Sequence, residues 1–513
     1  MILQAVRLRL QVSLLIVLVL GGVGLILLRP GPVYAGGVVG TGSAASCTEA
    51  ALVAKLAGGG SVTFNCGSGA TTITLTSYKE ISDDTSINGG GLITLSGSNT
   101  FLFQVFFGKT LTLQNITLTN GQSNVTGAIE NFGTTTIINS QLTNNRSTNT
   151  GGAILNHGTL NLVNATLSGN KATQDGGGIY NNSGNININN SQLLSNVISG
   201  TTGTGGGISN NNGSLSVQGS TFKGNSGFDG GAIYVSSGAT AALTASLIIS
   251  NSAGYGAGLE NNGTAVISQT TITLNRATVG DGGGIWNLNG QLTLNDSTVS
   301  HNTATTTGGG ISNYGNNLTL SRVTISGNTA GSTGGGIHST ATASLVNVTL
   351  SGNQATAPSG GGGMYQNGGN ATLNFVTVAG NTATFGAGVY NESGPGTMTL
   401  RNTLLTNNVT GNCDGDVASQ GHNLSSDTNC ANFTQTGDQQ SASLPLGPLG
   451  YNTGPTLTHL PLSSNPAING GVCVGGVTTD QRRLNRPYET ICDVGAVEVQ
   501  PLLVYMPVVL KNF

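Results

Sequence analysis

The sequence predicts an all-β solenoid, a parallel β-helix in which each coil of about 26 residues supplies three short strands. The first observation is a phrase of small residues, usually glycines, followed by an aliphatic residue, which recurs eleven times between Gly127 and Asn391. Successive aliphatic positions are 25 to 29 residues apart, a spacing typical of repeat architectures. The aliphatic positions are Ile129, Ile154, Ile179, Ile208, Ile233, Leu259, Ile285, Ile311, Ile337, Met364 and Val389.

A column of asparagines with the same period is the second observation. An amide buried at a bend is stabilised when it bonds to the same amide one coil away. The column therefore predicts an asparagine ladder that supports the backbone and has no catalytic role. Its members are Asn145, Asn170, Asn196, Asn225, Asn251, Asn275, Asn302, Asn328, Asn353, Asn381 and Asn408.

A single repeat, from Gly282 to Asn302, shows why strands are expected. Three extended stretches lie around Ile285, over 292–294 and over 298–300, and in them apolar and polar residues alternate as in half-buried strands. Gly, Asn and Asp separate the stretches, and these residues adopt left-handed backbone conformations at low cost. No helical period is present. Residues 71–410 are thus predicted to form about 13 coils, a rod of roughly 60 Å at the spacing of stacked strands.

The N-terminal 35 residues are predicted to direct export. Arg7 and Arg9 precede an apolar run over residues 12–28, and Ala35 ends a small-residue cleavage sequence, which together resemble a secretory signal. The apolar run is also close to the minimum length of a membrane helix, so an uncleaved N-terminal anchor is the alternative. Residues 36–70 are predicted to cap the solenoid, with a short helix over 48–57.

The six cysteines lie outside the repeats and are expected to form disulfides, because an even number is typical of exported proteins. Neighbouring cysteines enclose 16 to 18 residues, although fifteen pairings are formally possible. The predicted disulfide cysteines are Cys47, Cys66, Cys413, Cys430, Cys473 and Cys492.

Composition restricts the classes of function. Charged residues make up only 7% of the chain and the net charge is −3, so the sequence offers no broad basic surface for nucleic acid. The five histidines share no register and no ligand spacing, and no C-x-x-C motif occurs. We therefore expect no metal site and no cofactor. The histidines are His157, His301, His338, His422 and His459.

The repeats resemble those of the chlamydial polymorphic outer membrane proteins and related β-helix proteins. The stretch from Thr221 to Asn225, followed by the phrase from Gly230 to Ile233, carries both motifs of that repeat. The resemblance implies a right-handed single-stranded parallel β-helix and a surface location. The resemblance says less about function, because adhesins, lyases and hydrolases all occur with this fold.

The region 411–498 resembles the choice-of-anchor Q region of bacterial surface β-helix proteins. The resemblance rests on Gly421-His422-Asn423-Leu424, Asn465-Pro466-Ala467-Ile468 and the segment from Asp480 to Glu498, with Arg483 where a glycine is more usual. It implies display at the cell surface, with 411–498 as an anchor-associated cap and 499–513 as an apolar tail. Within it, Arg482, Arg486, Asp493 and Glu498 are predicted to form a structural network.

Acidic residues are scarce in the repeats. Asp175, Asp229 and Asp281 share one column on alternate coils, too far apart to bridge one calcium ion, and are predicted to shape turns. Glu130 and Glu260 share another column but lie five coils apart, so they cannot act together as acid and base. We therefore expect no catalytic residues in the repeats.

The residue after each aliphatic position should point away from the core, because side chains alternate along a strand. This column is rich in rings, and four of them, Tyr180, Tyr234, Trp286 and His338, recur on alternate coils and are predicted to form one ribbon on this face. Such rings suit stacking on glycans or docking to another macromolecule. Adhesion or structural display at the cell surface, through binding of a glycan or another surface macromolecule along this face, is therefore the predicted function. The alternatives are a polysaccharide lyase or glycoside hydrolase, and simple stabilisation between strands. The candidate binding residues are Tyr180, Tyr234, Trp286, His338, Tyr365 and Tyr390.

Overall fold

The computed structural model describes residues 36–358 and 360–500, and this part of the chain is an all-β, right-handed parallel β-solenoid of about 15 turns. The solenoid is thus slightly longer than the expected 13 coils, because irregular strands before residue 71 and after residue 410 continue the stacking. The predicted signal or anchor and most of the apolar tail lie outside the described residues. No helix of the described part is long and apolar enough to cross a membrane.

Face I of the solenoid contains the recurring aliphatic phrase and is a sheet of 14 parallel strands. Each strand pairs in register with its equivalents one coil away, so identical positions form columns. The strands are Lys79–Ile81, Phe103–Val105, Ile129–Asn131, Ile154–Asn156, Ile179–Asn182, Ile208–Asn211, Ile233–Val235, Leu259–Asn261, Ile285–Asn287, Ile311–Asn313, Ile337–Ser339, Met364–Gln366, Val389–Asn391 and Cys413–Gly415.

Face II follows face I along the chain and consists mainly of five-residue strands in which apolar side chains alternate inward. Its separate strands are Gly36–Val39, Gly60–Phe64, Thr134–Ile138, Thr159–Val163, Asn185–Asn189, Ser214–Gln218, Thr240–Thr244, Thr264–Ser268, Gln291–Asn295, Asn317–Ser321, Thr397–Arg401 and Val417–Ser419. Four longer strands continue from face II into face III: Thr85–Gly97, Thr110–Thr119, Thr342–Ser351 and Asn370–Ala379.

Face III completes the coil with short strands. They are Thr71–Leu75, Gln141–Thr143, Thr166–Ser168, Gln192–Leu194, Thr221–Lys223, Leu247–Ile249, Thr271–Thr273, Thr298–Ser300, Thr324–Ser326, Leu404–Thr406 and Leu424–Ser425. Nine coils add a two-residue strand that the sequence did not predict: Gln122–Ser123, Arg146–Ser147, Lys171–Ala172, Val197–Ile198, Ser252–Ala253, Arg276–Ala277, Thr303–Ala304, Thr329–Ala330 and Gln354–Ala355. An antiparallel pair, Gly450–Tyr451 and Leu457–Thr458, lies beyond the coils.

Aliphatic columns from the three faces fill one continuous core along the rod. The predicted asparagine ladder is confirmed at the corner after face III. The Nδ2 atom of Asn302, for example, donates to Oδ1 of Asn328 at 3.0 Å, and Asn275 donates to Asn302 at 2.9 Å. The same arrangement continues from Asn145 to Asn408. Each buried amide is therefore satisfied by its neighbours, as the repetition of the residue predicts.

The N-terminal end of the solenoid carries the predicted helix, α1, over Glu49–Leu56. The Thr48 hydroxyl caps it by accepting from the backbone N–H of Ala51 at 3.2 Å. Leu52 on its inner face is fully buried and joins the apolar core. The helix thus covers apolar surface that the first coils would otherwise expose.

All three disulfides join neighbouring cysteines, which settles the pairing that spacing left open. The bonds are Cys47–Cys66, Cys413–Cys430 and Cys473–Cys492. The first lies beside α1, and the other two lie in the region after the repeats. They hold the two ends, where the regular pairing of coils begins and stops.

The segment from residue 445 to 500 lies lengthwise on face III. Gln481 accepts a hydrogen bond from Thr349 at 2.7 Å and donates one to Thr324 at 2.9 Å, so it joins two coils. The fully buried Arg486 pairs with Glu498 at 3.0 Å and lies 4.1 Å from the Phe375 ring centre. The predicted structural network is therefore present, and it fastens the C-terminal segment to the solenoid.

Candidate functional site

The outer surface of face I is built from two parallel columns of side chains. The outer column consists of the residues that directly follow the buried aliphatic positions, and it includes the six ring-bearing candidates. The bend column lies four residues before the start of each strand, and so five before the outer-column residue, at the turn that enters face I. Its members are Asp175, Thr204, Asp229, Tyr255, Asp281, Thr307, Thr333, Gly360 and Phe385.

The bend column covers the outer column on the same coil. The Thr204 hydroxyl lies 2.8 Å from that of Ser209, and the Thr333 hydroxyl lies 2.7 Å from Nδ1 of His338. The predicted side chains thus leave the aliphatic core but are only partly open to solvent. Tyr180, Tyr234, Trp286 and Tyr390 are half-buried, whereas His338 and Tyr365 are buried, each with only 6% of its surface exposed.

The rings form two clusters instead of the single ribbon on alternate coils that the sequence suggested. In one cluster Tyr255 stacks on Trp286 with centroids 4.8 Å apart, and Phe228 meets Tyr255 edge-on at 5.8 Å. Neither Tyr180 nor Tyr234 makes a ring–ring contact with another described residue. The reason is distance, because residues on alternate coils are roughly 10 Å apart when strands stack at ~4.8 Å.

The second ring cluster spans consecutive coils further along face I. His338 stacks on Tyr365 at 5.0 Å, and Tyr314 lies tilted against His338 at 5.3 Å. Tyr390 meets Tyr365 edge-on at 5.4 Å, and the Tyr365 hydroxyl donates to the Glu392 carboxylate. His338 and Tyr365, at the centre of this cluster, are buried, so they stabilise neighbouring coils and offer little surface. Tyr390 is half-buried and Tyr314 is 37% exposed at its edges.

Two of the three bend aspartates act as turn-stabilising groups, as predicted. Oδ1 of Asp175 accepts from the backbone N–H and the hydroxyl of Thr204, both at 2.8 Å. Oδ1 of Asp281 accepts from the backbone N–H of Thr307 at 3.0 Å and from its hydroxyl at 2.8 Å. Each carboxylate therefore binds the bend threonine of the next coil.

Asp229 differs from the other two because Tyr255 occupies the bend position of the next coil. No side-chain hydrogen bond reaches its carboxylate from any residue that the structure describes. Burial, and then the nearby charge of Asp175, raise the pKa of Asp229 to about 6. The turn-shaping role predicted for this residue is therefore not supported by any side-chain contact.

Glu260 lies next to Asp229 on face I, between Tyr234 and Trp286 in the outer column. Its side chain is only 2% exposed, and Oε1 accepts from Asn262 at 3.0 Å. Its Oε2 atom is buried without a hydrogen-bond partner among the described residues. Burial, and then the charge of Asp229, raise the pKa of Glu260 well above its ordinary value.

Tyr234 completes this group. Burial, followed by the charges of Glu260, Asp229 and Asp175, raises the pKa of its hydroxyl to about 12. Sequence reasoning considered Glu260 only against Glu130, which lies five coils away and accepts from Gln104 at 2.7 Å. The closeness of Asp229 and Glu260 could have been found by placing the bend column beside the outer column.

Among the described residues, no group of three or more histidine, cysteine, aspartate or glutamate side chains is arranged to hold a metal ion. The pattern of the outer column did not identify Phe228, Tyr255 and Tyr314, which also belong to this surface. Tyr255 lies five residues before Glu260, at the bend position, and this spacing was the available signal.

Comparisons with known proteins agree with this architecture. The family model for the right-handed β-helix region matches residues 206–383. The family model for the Chlamydia polymorphic membrane protein repeat matches residues 164–182. No curated protein and no solved structure is significantly similar to the chain. The chain therefore contains a right-handed β-helix region and a repeat of the polymorphic membrane protein type.

Proposed function

We propose that the protein is exported, is displayed at the cell surface and binds a polysaccharide along face I of the solenoid. The observation that carries this proposal is the half-exposed ring cluster of Phe228, Tyr255 and Trp286 beside Tyr234. Aromatic rings with a polar edge offer flat apolar surface to a sugar ring and hydrogen bonds to its hydroxyls. Face I continues along the solenoid on both sides of this cluster, which suits an extended polymer.

Side chains at, or directly after, the ends of the face I strands contact members of the outer column. Asn211 donates to the Tyr180 hydroxyl at 3.0 Å, and Asn262 holds Glu260. Amides and carboxylates beside rings provide the few oriented polar contacts that give a binding surface its specificity. We place the principal contact at Tyr234 and Trp286, since His338 and Tyr365 are buried.

The experiment is retention on a glycan array of the full chain and of the double variant Tyr234→Ala/Trp286→Ala. We expect the double variant to lose most of the retention. Tyr451→Ala is the matched control, because Tyr451 is 72% exposed in the C-terminal segment and lies outside face I. Thermal unfolding of each variant separates lost binding from lost folding. Unchanged retention by the double variant would eliminate face I as the binding surface.

A second candidate function is a polysaccharide lyase or glycoside hydrolase acting on the same face. The observation that favours it is the pair of carboxyl groups at Asp229 and Glu260, both with a raised pKa. A carboxyl group that stays protonated near neutral pH can serve as a general acid. Reducing-sugar assays run in parallel with the array test this candidate, and release of sugar that Asp229→Asn abolishes would favour it.

Surface display is proposed from the polymorphic membrane protein repeat and from the resemblance of residues 411–498 to an anchor-associated region. Membrane association through residues 12–28 is the alternative to cleavage after Ala35. N-terminal sequencing of the exported protein distinguishes the two. A mature chain that begins near residue 36 would rule out the N-terminal anchor.

A further inference from the structure

Face I carries a group of acidic side chains with no cationic partner. The charge of Asp175 acts on Asp229, and the charge of Asp229 acts on Glu260, as the raised pKa values of Asp229 and Glu260 indicate. The ion pairs that the described residues make all lie elsewhere on the solenoid or its ends. An uncompensated buried carboxyl group reduces stability, and such groups are typical of binding and catalytic sites.

The second observation concerns unpartnered polar atoms. Oε2 of Glu260 and Nε1 of Trp286 are both buried and lack hydrogen-bond partners within the described part of the chain. The two residues pair across adjacent coils in the outer column. A buried acceptor or donor without a partner is unfavourable, and a ligand that supplies the missing partner removes this cost.

The third observation is the rings around these atoms. Tyr234 lies on one side of Glu260 in the outer column and Trp286 on the other, and Tyr255 from the bend column stacks on Trp286. All three rings are half-exposed, whereas the carboxyl group of Glu260 is buried. The result is a site with a buried acidic group and aromatic surroundings that remain open to solvent.

We propose that this acidic–aromatic site, formed by Asp229, Tyr234, Tyr255, Glu260 and Trp286, binds the ammonium group of an amino sugar within the polysaccharide. The inference rests on the proposed function and names the substrate class for it. An ammonium group can donate three hydrogen bonds and is attracted to aromatic faces. It also carries a positive charge, which the acidic side chains of this site do not find in any neighbouring residue that the structure describes. A metal ion fits less well, since no three ligating side chains come together in the described residues.

Binding of an ammonium group should release a proton from the site. Asp229 and Tyr234 are the titratable groups that interact with Glu260, and Asn262 donates to it. No Lys, Arg or His side chain of the described residues influences its carboxyl group. Burial, and then the charge of Asp229, raise the pKa of Glu260, so its carboxyl group holds its proton more tightly than an exposed glutamate does. A positive charge placed beside it favours the carboxylate, and the displaced proton passes to the buffer.

The experiment compares oligomers of glucosamine with oligomers of N-acetylglucosamine of equal length, by calorimetry at neutral pH in two buffers of different ionisation enthalpy. We expect the amine form to bind at least about tenfold more tightly than the acetylated form. We also expect proton release with the amine form only. Glu260→Gln and Asp229→Asn should each reduce binding of the amine form about tenfold and leave the acetylated form unchanged.

Glu130→Gln is the matched control, because Glu130 occupies the same outer column and already has a partner in Gln104. Both test substitutions preserve side-chain shape, and unfolding measurements verify the fold. Equal binding of the two oligomers, with loss only in Trp286→Ala, would overturn the ammonium site and leave polysaccharide binding intact. If no glycan on the array retained the protein, both proposals would be overturned.

Discussion

Asp175 and Asp229 occupy the same bend position two coils apart, yet only Asp175 accepts hydrogen bonds from the coil that follows. The difference lies in the next residue of the column, which is Thr204 after Asp175 and Tyr255 after Asp229. The same backbone turn therefore carries a satisfied carboxylate in one coil and an unsatisfied one two coils later. This contrast separates structural aspartates from the one that we assign to binding.

The first prediction concerns Asp229→Asn. The pKa of Asp229 is about 6 in the folded protein and 3.8 in its unperturbed state, so folding stability falls as pH rises between these values. Removing the charge should raise the free energy of unfolding at pH 7 by about 1 kcal/mol, after allowance for solvent screening. Near pH 4 the difference should vanish. Urea unfolding at both pH values measures it.

Asp175→Asn is the control for this prediction. Its carboxylate accepts two hydrogen bonds, so the substitution should leave stability unchanged or lower it by up to about 1 kcal/mol. Stabilisation by both substitutions would show that the two aspartates do not differ as the hydrogen bonds indicate.

The second prediction concerns the asparagine ladder. The side chain of Asn302 accepts two hydrogen bonds from Asn275 at 2.9 Å and donates to Asn328 and to the carbonyl of Ile272, both at 3.0 Å. Asn302→Ala leaves buried groups without partners and should cost about 3 kcal/mol. Asn289→Ala, at an exposed position, should cost less than about 0.5 kcal/mol. Similar losses in both variants would argue against the ladder as a principal stabilising element.

The third prediction concerns pH and His338. Burial lowers the pKa of His338 to about 4, against an ordinary value of 6.5. The unfolded chain therefore binds a proton that the folded chain does not, and stability should fall by about 3 kcal/mol as pH decreases through this window. His338→Phe, which keeps a ring against Tyr365, should reduce this dependence. Chemical unfolding of both proteins at pH 7.5 and 4.5 measures the change in the free energy of unfolding with pH. An equal change in both proteins would contradict the prediction.

The fourth prediction concerns the contact between Tyr255 and Trp286. A double-mutant cycle with Tyr255→Leu and Trp286→Leu should give a coupling energy of about 0.5–1.5 kcal/mol, typical of stacked rings. Trp286→Leu combined with Tyr451→Leu should be additive, because the second residue lies in the C-terminal segment. Additivity in the first pair would mean that the stacking contributes no stability.

The fifth prediction concerns the fastening of the C-terminal segment. Arg486 is fully buried, pairs with Glu498 and donates to Asn347 at 2.9 Å. Arg486→Met leaves the Glu498 carboxylate without its cation and should cost about 3–5 kcal/mol. Limited proteolysis should then cut the segment after residue 440 before it cuts the repeats. Arg146→Met, at an exposed position on a short strand, should leave the digestion pattern unchanged.

Much of the fold could be predicted because the repeats place equivalent residues one coil apart. The register of Ile285 with Ile311, and the ladder through Asn302, follow directly from the period. The helix over Glu49–Leu56 was also predictable, since Thr48 supplies a capping residue and the segment has an apolar face. The two-residue strands after face III escaped prediction, because stretches that short have no detectable alternation.

The candidate site was less predictable. The ring-bearing residues were found because they follow the aliphatic positions, but their burial was not, because the covering residues come from another part of the coil. Tyr255 and Asp229 were separated from the outer column in the sequence by five residues, so neither was recognised as a neighbour of Glu260.

The solenoid, its coil period, its inward aliphatic columns and its asparagine ladder follow from the amino-acid sequence alone, since each depends only on the stacking of identical positions. Which rings touch, which aspartate lacks a partner and how far the C-terminal segment covers face III become visible only in three dimensions. These properties depend on contacts between different columns and between distant segments. The width of a turn and the direction of a side chain set such contacts, and neither is encoded in the period.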